Sequence, residues 1–562
     1  MAWELGLNSN SFHPELALDG ERFGELRPAQ KEAYRLVGWD ASYLWGPPGT
    51  GKTTTLGYLL AEYLRARKTS RILLISSTHV AVDTALLKTD ERARLVFPKD
   101  PRPPLLRFGS RFDPARYENC KHLIPVRDKS QIGVYERHLQ DVPSPGDPER
   151  YRIWRKKLDA IREKFTEERR YHLKTARLAA MTATYAVSQF DELASNGKYD
   201  LVVFDEASQV GKCHAMTLAT LGRNVLFAGD HKQLSPIVQS AGEGARSWLG
   251  KSAFDWILRP SLENATCMLD EQWRMAPQIS GVISEFFYGS KLRVAEPVAA
   301  DPAWLADRTP NASTLLSGGN VCLIDVKTRA RPAKDFAGYC CPESAEIVAA
   351  LAVDLQLSCP DEDLCILTPF RAQRREIEKE LQARNASVTL VSTVHRIQGL
   401  ERRSVIFDPV CPSSEFVSDE GGMRLMNVAL SRAKSRLIIL MQRDWIENRL
   451  LQFLAERFRI AGISESGLSK LLSVRLAAAR PTVAVATSKP QKVVTAVVSK
   501  LERFEEELMR ALGGKANSAE NRKQCVLDVK GRTEFKSLTY QEVDQVCERI
   551  DRLWPVPNRT KR

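Results

Sequence analysis

At 562 residues the chain exceeds what a single hydrophobic core serves and is expected to divide into about two to four domains. With 43% hydrophobic residues and glycine and proline scattered, its composition excludes collagen, coiled coil and wholesale disorder, leaving a globular protein. The formal charge of +13 favours a polyanionic partner. The cysteines stand singly apart from Cys340 and Cys341 and form no CxxC pair, so reduced thiols are expected rather than a zinc site or a disulfide framework. No basic leader opens the chain, and no run approaches about 18 uninterrupted apolar residues, the length that crosses a membrane. A cytoplasmic protein is expected, or a nuclear one in a eukaryote, neither secreted nor bound to a membrane.

In chain order, "ASYLW" reads as a strand and runs into "GPPGTGKT", which fits G-x-x-x-x-G-K-[ST] at every fixed position. Glycines there let backbone N–H groups face phosphates, and the helix that "TTTLGYLLAEYL" begins favours the anion at its N-terminus. Gly46, Pro47, Pro48, Gly49, Thr50, Gly51, Lys52, Thr53 and Thr54 are therefore expected to bind ATP. Lys52 would reach the β- and γ-phosphates, and the Thr53 hydroxyl would ligate Mg²⁺.

Another apolar run, "RILLIS", starts at Arg71, after which residues 111–175 read as a charged helical insertion. Within it Trp154, Leu158, Ile161 and Phe165 draw one apolar stripe, and "SPGD" at 144–147 turns the chain, which suggests a helical hairpin standing off the first lobe. "LVVFDEAS" then supplies the carboxylates a phosphate-binding loop needs: Asp205 for Mg²⁺ and Glu206 as general base. Further strand-like runs begin at Asn224, Leu364, Ser404 and Ser435. Rich in Val, Ile and Leu without polar alternation, they suit parallel strands buried on both faces. The expected fold is α/β with two sheets: a first lobe over residues 1–110 and 176–300, and a second over 301–465. Residues 466–562 read as a linker and accessory region, with an amphipathic helix marked by Leu501, Phe504, Leu508 and Leu512.

Taken in order, "GPPGTGKTTT", "VVFDEAS", "GDHKQLSP", "LDEQWRM", "LTPFRAQ", "STVHRIQGLE" and "NVALSRAKSRL" resemble the motifs of superfamily 1 helicases. The branch they resemble contains the nonsense-mediated mRNA decay helicase, and the resemblance covers roughly residues 25–445. It implies two RecA-like lobes that hydrolyse ATP with Mg²⁺ to move 5′ to 3′ along single-stranded or partly duplex DNA or RNA. It also implies roles for residues. Gln30 of "LRPAQKEA" would read adenine, Trp273 would stack on the base or serve as a core residue, and Glu401 would hold the ribose or order the pocket. Arg274 and Arg432 would meet the γ-phosphate, and Gln233 would touch that phosphate and the attacking water, making "GDHKQLSP" a coupling loop. Thr78, His79, Thr182, Thr184, Pro369, Arg371, Thr393 and His395 would face the nucleic acid, although His79 stands where the family more often has Asn. With so short a stretch before the phosphate loop, the family's Cys- and His-rich regulatory domain is expected to be absent. A second reading is a nucleic-acid-gated ATPase switch that signals to a protein partner through residues 466–562.

Overall fold

A computed structural model describes residues 10–461 apart from 22, 99–100, 110, 126–137, 139–147, 239, 241, 314, 317, 334–337, 360–362, 387, 389 and 398. The expected tail of residues 466–562, with its amphipathic helix, and the turn at 144–147 lie outside the described residues.

Seven parallel strands form the first sheet: β1 Ala41–Trp45, β2 Ile72–Ser76, β3 Leu105–Arg107, β4 Leu178–Thr182, β5 Tyr199–Asp205, β6 Gly222–Gly229 and β7 Thr266–Met268. Their order is β3-β4-β2-β5-β6-β1-β7. A short parallel ribbon follows, β8 Glu271–Gln272 with β9 Arg293–Val294. The second sheet uses β10 Val321–Val326, β13 Leu364–Thr368, β14 Leu390–Thr393, β15 Arg402–Phe407, β16 Ala433–Gln442 and β17 Ile460–Ala461 in the order β14-β13-β15-β16-β10-β17, again parallel. Between β10 and β13 a small antiparallel ribbon pairs β11 Arg331–Pro332 with β12 Tyr339–Cys340.

Both sheets are apolar on both faces, which is why the sequence runs lack alternation. In β2, Ile72 and Leu74 enter one core while Leu73 and Ile75 enter the opposite one, and Cys365 and Leu367 oppose Leu364 and Ile366 in β13 in the same way. Two α/β lobes result, as the apolar runs predict, and in each the loops at the carboxyl ends of the strands collect the polar motifs.

The structure moves two of the expected boundaries. Helix Pro277–Tyr288 buries Ile279, Ile283 and Phe287 in one core with Leu323, Leu437 and Ile439, so the chain enters the second lobe well before residue 301. The insertion also starts later than residue 111, because Tyr117 and Leu123 are buried in the first lobe and the Tyr117 hydroxyl donates to Asp83 at 2.8 Å. Of the expected hairpin, the described part is His138 and a 28-residue helix, Pro148–Thr175, whose Trp154 donates from Nε1 to the His138 carbonyl at 2.8 Å. Leu158 is buried on its apolar stripe, and Arg169 pairs with Glu192 at 2.6 Å to fix its far end to the lobe.

Candidate functional site

After Trp45 the chain turns through the glycine loop into helix Lys52–Ala66. Gly51 caps that helix at φ +79°, a left-handed conformation, and a Cβ on Gly46 would sit 2.6 Å from the Cβ of Lys52. Only glycine fits at either place, so the motif's fixed glycines answer to backbone geometry. Lys52 donates from Nζ to Asp205 Oδ1 at 2.6 Å and Glu206 Oε1 at 2.8 Å. Burial works against its charge, but the two carboxylates outweigh that effect and raise its pKa. Asp205 ends β5 and is only 2% exposed. Glu206 follows at φ +52°, a left-handed conformation that costs a non-glycine residue about 1–3 kcal/mol. This strained turn aims its carboxylate at Lys52.

A cavity of about 400 Å³ opens over this loop, and residues of both lobes line it. Thr53, Thr54, Gln233 and Trp273 face it with Arg274, Glu401 and Arg432. Arg274 Nε donates to Glu401 Oε2 at 2.6 Å, and Lys434 Nζ lies 2.9 Å from Oε1. Burial opposes the charge on Glu401, yet Arg274 and Lys434 hold its pKa down to about 2. Arg432 is 3% exposed and donates to two backbone carbonyls, from Nε to Val428 at 3.0 Å and from Nη1 to Leu400 at 3.2 Å. Burial, with Arg274 beside it, pushes its pKa down to about 9. A guanidinium disfavoured in this way gains from any anion that enters the cavity.

Trp273 is not a core residue: it is 42% exposed, its backbone N–H donates to the Gly49 carbonyl at 3.1 Å, and the Arg27 guanidinium lies 5.1 Å from its ring centre. Gln30 is buried and turned to the loop helix, donating from Nε2 to Thr55 Oγ1 at 3.1 Å. Sequence reasoning missed three cations here. Arg27 donates from Nη2 to the Thr50 carbonyl at 2.6 Å, Lys434 holds Glu401, and Arg308 lines the cavity while donating from Nε to the Arg274 carbonyl at 3.0 Å. For Arg27, its place three residues before Gln30 in "LRPAQ" was the available signal. No motif spacing marks Arg308, which the fold delivers from helix Pro302–Arg308.

The stretch "GDHKQLSP" ties the lobes together. Gln233 is buried and donates from Nε2 to Asp230 Oδ2 at 2.7 Å. That carboxylate also accepts from Trp45 Nε1 at 3.0 Å and from the Tyr288 hydroxyl at 2.6 Å. Asn427, on helix Glu420–Leu430, donates to the Tyr288 oxygen at 2.9 Å and to the Lys232 carbonyl at 2.8 Å, and Arg424 of the same helix bonds Ser235. Gln233 thus connects through Asp230 and Tyr288 to the helix that leads into Arg432. Gln233→Ala is expected to leave ATP affinity within about threefold while lowering nucleic-acid stimulation of hydrolysis by tenfold or more, about 1.4 kcal/mol of coupling. Equal losses in both measurements would refute this.

His231 packs against Trp45 with ring centres 4.6 Å apart and ring planes inclined by 50°. Burial, then Lys232 and Arg424, lower its pKa to about 3. Between about pH 6.5 and 3 the unfolded imidazole binds a proton that the folded one refuses, so stability falls as pH drops through this window, by up to about 1.4 kcal/mol per unit. His231→Phe is expected to flatten that part of the stability–pH curve, read by denaturant titration. An unchanged slope would remove His231 as its source.

The expected strand-facing residues lie at the carboxyl ends of β2, β4, β13 and β14. Thr78 is exposed and caps helix His79–Val96, its Oγ1 accepting from Ala81 N–H at 3.2 Å. His79 is half-buried, its Nδ1 3.1 Å from Arg107 Nη2, and Arg107 is paired with Asp83 at 2.7 Å. Burial first and then Arg107 lower its pKa. Thr182 is buried and caps helix Ala183–Ser188 by accepting from Tyr185 N–H at 3.3 Å, with Thr184 exposed beside it. Pro369 and Thr393 are buried, Arg371 is exposed and His395 half-buried.

Two AAA-domain family models match this chain, one over residues 30–239 and the other over 249–444, together well over half of it. An uncharacterized ATP-dependent helicase of Methanocaldococcus jannaschii is 24% identical, the match spanning 76% of this chain and 70% of that protein. The DNA polymerase alpha-associated DNA helicase A of Schizosaccharomyces pombe is 27% identical over 74% of this chain and 63% of its own length. The ATP-dependent helicase upf1 of the same yeast is 26% identical over 74% of this chain and 44% of its own. The match thus leaves a substantial part of each relative uncovered. With the two AAA-domain matches, the two parallel-sheet lobes and the ordered motifs, the chain belongs to the superfamily 1 group of ATP-dependent helicases, with upf1 among its relatives.

Proposed function

We propose that this protein is a nucleic-acid-stimulated ATPase that uses ATP hydrolysis to move along single-stranded DNA or RNA in the 5′-to-3′ direction. One observation carries the reading: a single cavity takes the glycine loop, Asp205 and Glu206 from the first lobe and Glu401 and Arg432 from the second. In this reading, ATP joins the lobes by replacing Lys52's carboxylate contacts with phosphate contacts. Glu206 accepts the proton of the attacking water, while Arg274 and Arg432 offset the charge that develops on the transferred phosphoryl group. Thr53 and Asp205 would hold Mg²⁺, since a hydroxyl and a carboxylate at the loop's mouth are the oxygen donors a hard cation takes. Bound there, the ion would neutralise phosphate charge. Trp273, exposed at the cavity wall, offers a face to the base, and Gln30 orders the loop helix beside it. Loss of the γ-phosphate would release Gln233, and the Asp230–Tyr288–Asn427 chain would pass that change to the second lobe.

The strand would run across the carboxyl ends of β2, β4, β13 and β14, where Thr78, His79, Thr182, Thr184, Pro369, Arg371, Thr393 and His395 lie. No helix among the described residues is long and apolar enough to cross a membrane. The test is an ATPase and unwinding assay on matched DNA and RNA duplexes bearing 5′ or 3′ single-stranded tails. Stimulation by single strands and preference for 5′ tails are expected, whereas ATPase activity indifferent to both nucleic acids would overturn the proposal.

A further inference from the structure

Phe416 is 48% exposed although it belongs to a four-residue helix, Glu415–Ser418, whose next residue, Val417, is fully buried in the second lobe's core. The mount is rigid. Ser414, which caps it, donates from Oγ to the Cys411 carbonyl at 2.7 Å, and a Cβ on Gly422 would come within 2.3 Å of the Val417 carbonyl carbon. The ring is therefore held out by packing beneath it rather than left on a loose loop.

Its neighbours are aromatic. Phe416 lies 5.6 Å from Phe370, centre to centre, and 6.3 Å from His395, and Phe370 meets Tyr339 edge-on at 5.5 Å. Phe370 stands between Pro369 and Arg371, so this cluster sits among the residues proposed above to face the strand. Burial lowers the pKa of His395 and so disfavours its charged form. Exposed Arg371 and Arg396 flank the cluster in sequence and supply cations for phosphates. A fixed, half-exposed aromatic face beside cations matches what binds unpaired bases of any sequence, because every base offers a π-face to stack on while the cations follow the backbone.

We propose that Phe416 is a stacking platform for one base of the bound single strand, supported from behind by Phe370 and His395. The inference rests on the translocase reading but adds a base contact to the backbone contacts that reading implies. A base held here gives the second lobe a grip on the strand that does not depend on which base it is.

The test uses the full chain and single-stranded DNA or RNA oligonucleotides carrying 2-aminopurine at successive positions, with affinity measured by fluorescence anisotropy. Wild-type protein is expected to quench 2-aminopurine at one position of the bound strand. Phe416→Ala should lose that quenching and bind between about fivefold and 150-fold more weakly, the range that loss of one base stack gives. Phe416→Trp should restore both signals, which a merely structural role would not do. Melting curves of the variants show whether the lobe remains folded. Tight binding with no quenching in wild type, or affinity and quenching unchanged in Phe416→Ala, would overturn the platform alone; the second result is also the one expected if the ring docks a protein. No binding to either nucleic acid would overturn the translocase reading, and the platform with it.

Discussion

Glu206→Gln is expected to lower the ATP turnover number by about 10²–10⁴ while ATP still binds, since a positioned general base contributes about that much. Fold and nucleotide affinity should survive. Lys52 keeps its 2.6 Å contact with Asp205, and the amide oxygen that the substitution introduces can still accept from Lys52 Nζ where Glu206 now does at 2.8 Å. The amide cannot take a proton from water, so the enzyme should stall with ATP bound and lobes closed, and hold single strands more tightly. Single-turnover hydrolysis together with a nucleotide-binding titration measures both parts. Turnover within tenfold of wild type would show that another group is the base and that the strained backbone at φ +52° serves some other purpose.

Arg432→Ala should cost more, about 10³–10⁵ in turnover, the range measured when a phosphate-facing arginine is removed from this class of reaction. Burial and the neighbouring Arg274 make it a cation the free protein holds at a disadvantage, which its two backbone-carbonyl contacts offset only in part and a developing phosphoryl charge would relieve. Arg432→Lys should also fail, because an ammonium cannot keep both carbonyl contacts and present a planar fork to phosphate. The loss should appear in turnover rather than in ATP affinity. If affinity collapsed while turnover at saturation held, Arg432 would be a ground-state binding residue instead.

The local chemistry was legible because it is contiguous. A glycine loop needs only its own backbone geometry, so "GPPGTGKT" announces Gly51 at φ +79° and Lys52 beyond it. Strands buried on both faces announce themselves as unbroken apolar runs, and β2, β5, β6, β13, β15 and β16 were all readable that way. The strands β3, Leu105–Arg107, and β7, Thr266–Met268, were not, since three residues carry no period. The lobe boundary was misplaced for a related reason: the pattern of helix Pro277–Tyr288 shows an apolar face but not which sheet it covers.

The sequence by itself determined the phosphate loop, the acidic pair, the α/β class and the ordered motifs, because each depends on residues within about a dozen positions of one another. Only the tertiary structure decided that Arg308 lines the cavity over the phosphate loop, that Arg27 bonds the loop's Thr50 carbonyl and that Trp273 is an exposed wall rather than core. It alone joined Gln233 to Asn427 through Asp230 and Tyr288, and it alone set Phe416 beside Phe370 and His395. These contacts join residues up to some 240 positions apart, such as Arg27 and the Glu271 carbonyl. Some follow from how loops at the ends of two separate sheets are brought against one another and others from how distant segments of one lobe pack together, and no local pattern of side chains records either.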